Sequence, residues 1–247
     1  MKFVRLLACS CILIAGIAQA DVLEDKVNAA LASDARSDAE RARDANRKPL
    51  ETLRFFGLRD DMKVIELVPG GGWYTKVLGP VLRERGQLYV ALGANRVRDM
   101  LDQPGFEGVE FIDTRSTFER TEPFRLNNLD NVDLDVDDAD LVVTFRNLHN
   151  FTPEARAMIN AAVFTSLKSG GLYGVVDHTA RHMEPLTSEN RRRVDPVVAI
   201  KEILDAGFEF VDYSDLHYRP DDELRYEVGR RTVTGNTDRF TLLFRKP

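Results

Sequence analysis

The chain has 247 residues, 43% of them hydrophobic and 30% charged, and a formal net charge of −6. That balance suits a globular fold and excludes collagen-like, coiled-coil and wholly disordered readings. With 40 acidic residues against 34 basic ones, no cationic surplus exists to neutralise phosphates, so sequence-independent nucleic-acid binding is not expected.

The first twenty residues have the layout of a secretory signal peptide. Lys2 and Arg5 flank the start, an apolar run extends from Leu6 to Ile17, and Ala18-Gln19-Ala20 forms an A-x-A cleavage pattern before Asp21. Cleavage after Ala20 and export, to a periplasm or beyond, are therefore expected. The run is too short to span a bilayer as a lasting anchor. Processing would remove two bases and both cysteines, Cys9 and Cys11, leaving a charge of −8 and no disulfide or thiolate ligand. An intact mass that still includes residues 1–20 would contradict this reading.

Residues 21–247 read as one domain whose segment 21–58 is an N-terminal helical extension. Ser37-Asp38-Ala39-Glu40 matches a capping box and predicts a polar helix to about Arg47. Pro49 restarts the chain, and Leu50, Leu53, Phe56 and Leu58 give a short amphipathic helix closed at Gly57. Apolar runs at 64–68, 88–92, 109–112, 141–145 and 172–176 predict strands. Between them lie helices over 74–82 and 153–167, and a further helix follows over 196–206. Two last strands are expected at 208–213 and 240–244, with a long polar loop between them. Alternating strands and helices imply a mostly parallel α/β sheet covered on both faces, and the final loop favours an antiparallel last strand.

Val64-Ile65-Glu66-Leu67-Val68 runs directly into Pro69-Gly70-Gly71-Gly72 and then a helix. Glycines permit left-handed backbone and a close approach to ligand, while a helix start offers free N–H groups. In open α/β sheets such a loop faces the ligand crevice, so a small anionic or zwitterionic molecule is expected there. The spacing nearly meets the dinucleotide pattern G-x-G-x-x-G, with Thr75 in the last glycine's place.

Four stretches, 64–75 (VIELVPGGGWYT), 140–151 (DLVVTFRNLHNF), 194–208 (VDPVVAIKEILDAGF) and 235–247 (GNTDRFTLLFRKP), resemble the class I S-adenosylmethionine-dependent methyltransferases, and more closely a group of exported predicted methyltransferases. The resemblance implies a Rossmann-like, seven-stranded sheet with an antiparallel last strand, S-adenosylmethionine as cofactor and a small-molecule substrate. It implies that Glu66 and Gly70 to Gly72 line the methionine part of the cofactor; Pro69, Tyr74 and Asn147 join that group. The family's acidic residue at the end of the second strand, which holds the ribose, has no counterpart near Leu92-Gly93-Ala94. Asn95 is the side chain expected to replace it. A non-catalytic exported binder of a small ligand is the alternative, and a nicotinamide-dependent oxidoreductase a third reading that an antiparallel seventh strand would exclude.

Outside the loop, His149 is the candidate catalytic base, since imidazole suits proton transfer near neutral pH. Arg146, Asp177 and His178, at the ends of the fourth and fifth strands, are candidate substrate-binding groups, although Asp177 and His178 read first as a structural hydrogen bond between loops. No metal is expected. His178 and His182 lack a third ligand, and Asp133, Asp135 and Asp137 lack the glycine and the bidentate glutamate of a calcium loop. Arg191-Arg192-Arg193 reads as a solvated basic face, with the steering of an anionic substrate as the alternative, since it lies between the fifth strand and the helix near Pro196.

Overall fold

The computed structural model describes residues 22–247; the expected signal segment lies outside them. A helix over residues 22–32 (α1) opens the described chain. Then come α2 (Asp38–Arg41), α3 (Asp44–Arg47) and α4 (Pro49–Phe55). The capping box forms as its residues demand: Ser37 accepts from the Glu40 N–H, and the Glu40 carboxylate accepts from the Ser37 N–H. The single polar helix expected here is instead two short pieces. The chain turns left-handed at Lys48 (φ 42°) before Pro49 starts α4.

The sheet elements are β1 (Lys63–Leu67), β2 (Gln87–Ala91), β3 (Glu110–Phe111), β4 (Phe118–Arg120), β5 (Asn127–Leu129), β6 (Ala139–Phe145), β7 (Leu167–His178), β8 (Glu209–Ser214) and β9 (Arg239–Arg245). Seven of them form one sheet in the order β3-β2-β1-β6-β7-β9-β8. The pairs from β3 to β7 are parallel, whereas β9 runs antiparallel to both β7 and β8. This bears out the expected fold, with the antiparallel strand inserted between its neighbours rather than added at the edge. It departs from the all-parallel order of a dinucleotide-binding sheet, the feature expected to count against the oxidoreductase reading.

Alternation along the strands explains the layering. Ile65 and Val142 face a core built with α7 (Pro153–Ser166) and α8 (Pro196–Asp205). Their neighbours Val64 and Leu141 face the opposite core, with α1, α4 and α5 (Thr75–Leu82). From α1, Leu23, Val27 and Ala30 are buried in this second core. Both faces being covered, β1 and β6 carry apolar side chains in succession.

The β4–β5 hairpin was not expected from the sequence. It packs beside the loop after β6, where Asn127 Nδ2 donates to the Asn150 carbonyl and the Thr152 N–H donates to the Asn127 carbonyl. The basic run also departs from its expected solvated face. Arg193 is fully buried in an ion pair with Asp222, Arg192 pairs with Glu227, and Arg191 alone stays unpaired among the described residues. Among those residues no helix is long and apolar enough to cross a membrane, and no cluster of metal-ligating side chains occurs.

Candidate functional site

Strand order reverses between β1 and β6, so the crevice opens at their carboxyl ends. β1 leads there into the glycine loop, β6 into Arg146-Asn147-Leu148-His149-Asn150, and β7 brings Asp177 and His178. Two cavities fill the crevice, of about 260 Å³ and about 530 Å³. They adjoin across Arg43, Arg47 and Arg146, which line both.

The smaller cavity is floored by Glu66, Pro69, Gly70 and Gly71 and walled by Tyr74, Phe145 and Asn147. Gly70 has φ 62°, and a Cβ added at Gly70 or Gly71 would meet nothing within 4 Å. The backbone here is bare toward open space, which is what close approach of a ligand requires. Gly72 differs: its φ is 79° and an added Cβ would lie 2.8 Å from Met100 Cε, so packing as well as conformation selects glycine. Val68 is also left-handed, with φ 51°, a strained state for a β-branched residue before proline. The Val68 carbonyl accepts from Asn147 Nδ2 at 3.0 Å, which ties the β6 loop to the glycine loop.

Glu66 is buried beneath this cavity and accepts from Thr75 Oγ1 at 2.7 Å. Burial pushes its carboxyl up to about 7, against the pull of Thr75 and the Arg47 charge. Tyr74 is buried, stacked on Phe145 with ring centroids 3.5 Å apart. It shapes the wall as part of the core. Trp73 packs likewise, its indole N–H donating to the Glu40 carbonyl at 3.0 Å.

The N-terminal segment roofs both cavities. Lys76 donates to Glu40 at 3.0 Å, and the Arg36 and Arg47 guanidinium groups lie 4.9 and 4.2 Å from the Trp73 ring centroid. Glu40, Arg43, Asn46 and Arg47 thereby reach the site.

The larger cavity holds the imidazoles. Asp177 accepts from the His149 backbone N–H at 3.0 Å and from that of His178 at 2.7 Å, and its Oδ1 lies 2.5 Å from His149 Nδ1. Since the carboxylate already accepts two backbone donors, Nδ1 is the donor in the third bond. His149 Nε2 is thereby left as an acceptor, without a protein partner among the described residues, on a side chain lining the cavity. Asp177 itself is completely buried and reaches a bound molecule only through His149. His178 bonds Thr237 Oγ1 at 2.9 Å through Nδ1. Burial first, then competition with His149 for a proton and the nearby arginine charges, holds it well below the ordinary histidine range and hence neutral.

Of the residues expected from the sequence, the structure brings Glu66, Pro69, Gly70, Gly71, Tyr74, Arg146 and Asn147 to the smaller cavity. It brings Arg146, His149 and His178 to the larger one. Asn95 is exposed on a 3₁₀ turn after β2 and lines neither cavity. Sequence reasoning missed Arg43 and Arg47 from the roof, and Thr237 and Arg239 at the start of β9.

No protein-family model matches the chain, and no curated protein matches its sequence. Solved structures match its fold. A SAM-dependent methyltransferase from Aquifex aeolicus aligns with a TM-score of 0.58 at 15% identity, over 83% of this chain and 93% of that one. Another from Mesorhizobium loti aligns with a TM-score of 0.51 at 15% identity, over 79% and 96%. The [4+2]-cyclase SpnF aligns with a TM-score of 0.56 at 15% identity, over 82% and 80%. The chain thus has the Rossmann-like fold found in SAM-dependent methyltransferases. A cyclase with the same fold means that the reaction has to be read from the site.

Proposed function

We propose that this protein is an S-adenosylmethionine-dependent methyltransferase acting on a small molecule. The observation carrying the reading is the pair of adjoining cavities. One is floored by bare glycine backbone over a buried glutamate, and the other presents an acceptor nitrogen on His149.

The residues fit the methionine end of that cofactor. Gly70 and Gly71 leave a cradle that a Cβ would enter, Glu66 lies beneath it for an ammonium group, and Arg47 lies beside it for a carboxylate. When bound, the cofactor supplies an electrophilic methyl group. The chain's own contribution is to exclude water under the roof, to orient the acceptor, and to take its proton at His149 Nε2, with Asp177 fixing the ring. His149 acts as the catalytic base and Asp177 as a positioning residue.

One observation favours the second reading, a non-catalytic binder. The ribose end lacks its carboxylate, and Asn95 lines neither cavity. Calorimetric titration with S-adenosylmethionine and S-adenosylhomocysteine separates the two. Micromolar binding is expected, weakened at least tenfold by Gly71→Val, whose added Cβ meets no protein atom within 4 Å. No binding at millimolar ligand would leave only the binder of another molecule.

A further inference from the structure

The larger cavity has a charge pattern that neither the fold nor the cofactor explains. Arg43, Arg47, Arg146 and Arg239 line it, and none makes a salt bridge to a carboxylate among the described residues. Two of them are more than nine-tenths buried, Arg47 at 5% exposure and Arg239 at 6%, and the Nε of each has no hydrogen-bond partner. Burial, then mutual repulsion with the other arginines, lowers Arg47 to about 8 and Arg239 to about 10. No acidic side chain lines the cavity. The carboxylates nearby are engaged elsewhere, Asp177 by three N–H donors, Glu40 by Lys76 and the Ser37 N–H, and Asp238 by the Arg219 N–H, while burial opposes the ionisation of Glu66. Next to it a groove shares His149, Asn150 and Arg192 and adds Arg120, Arg125 and Arg191. All this sits in a chain whose net charge is negative.

Guanidinium groups held apart from counterions cost stability and persist where a ligand completes them. S-adenosylmethionine does not complete them, because its sulfonium and ammonium outweigh its one carboxylate. We propose that the substrate is a small polyanion, carrying at least two carboxylate or phosphate groups, held by Arg43, Arg146 and Arg239 with its reacting atom at His149. This deepens the methyltransferase reading and rests on it only for the name of the reaction.

The test uses pyrophosphate and citrate as probes, titrated calorimetrically into residues 21–247 at low ionic strength, with and without saturating S-adenosylhomocysteine. At least one probe is expected to bind in both conditions; which one tells phosphate from carboxylate. Arg146→Gln and Arg43→Gln should each weaken it at least tenfold. Arg43 is exposed, so its replacement leaves the core intact. Arg83→Gln, at the far end of the sheet between α5 and β2, should leave binding unchanged. The proposal is overturned if neither probe binds, if Arg43→Gln and Arg146→Gln bind as the native chain does, or if S-adenosylhomocysteine displaces the probe one for one. In that last case the arginines serve the cofactor's carboxylate. Probe binding without any S-adenosylhomocysteine binding would instead sink the methyltransferase reading and leave the polyanion site standing.

Discussion

A buried carboxylate is costly unless its oxygens are filled, and Asp177, with no exposed surface, has both filled by His149 and His178. Replacing it with asparagine keeps the shape but offers one oxygen where two are used. Asp177→Asn should therefore free His149 to carry its proton on Nε2, which removes the acceptor facing the cavity. Nitrogen-15 shifts of the His149 ring are expected to show mostly the Nδ1–H form in the native protein and a shift toward Nε2–H in the variant. A turnover assay, once an acceptor is known, should lose about a hundredfold or more.

Glu66 gives a pH signature of opposite sign to an ordinary ion pair. Its folded value of about 7 lies above the usual 4.5. Below the usual value both states are protonated and its penalty is absent. As pH rises from 4.5 through about 7, the unfolded chain ionises first and the ligand-free fold loses stability, with no further change once both states are ionised. Glu66→Gln keeps the bond from Thr75 and should remove that slope, raising stability at pH 8 by about 3 kcal/mol. The depressed values of His178 and of His217, at about 4, act in the other sense, weakening the fold as pH falls. They are common to both proteins, so the difference between native and variant urea midpoints at pH 5 and pH 8 isolates Glu66.

Among the elements, the segment between β8 and β9 has little apolar content yet walls the larger cavity with Thr234, Gly235 and Thr237. It is held by polar bonds. Asp222 takes both terminal guanidinium nitrogens of Arg193, at 2.9 and 3.0 Å, together with the N–H groups of Leu224 and Asp238. Asp222→Ala would strand a buried cation and two N–H groups, with an expected loss of about 3–5 kcal/mol in chemical denaturation. The sequence could not signal this, because a run of three arginines looks the same whether it is solvated or folded inward. Strands such as β1 and β6 were legible because burial on both faces writes continuous apolar runs. The β4–β5 hairpin was not: three-residue strands containing Glu119, Arg120, Asn127 and Asn128 carry no alternation to detect.

For the molecule as a whole, the glycine loop and His149 were legible because backbone freedom and imidazole chemistry are local properties. The cationic cavity was not, because it is assembled from Arg43, Arg146 and Arg239, far apart in the chain. Only the spacing of Arg43 and Arg47, four apart and so on one helical face, hinted that they would act together. The roof these two belong to has a kinetic consequence. It crosses the glycine loop through Glu40, with its bonds to Trp73 and Lys76, and is pinned from below by His217, whose Nε2–H donates to the Arg47 carbonyl at 2.9 Å. These few polar contacts resist the lifting of the roof. A molecule beneath it would owe part of its residence time to short helical turns and not to its own affinity alone.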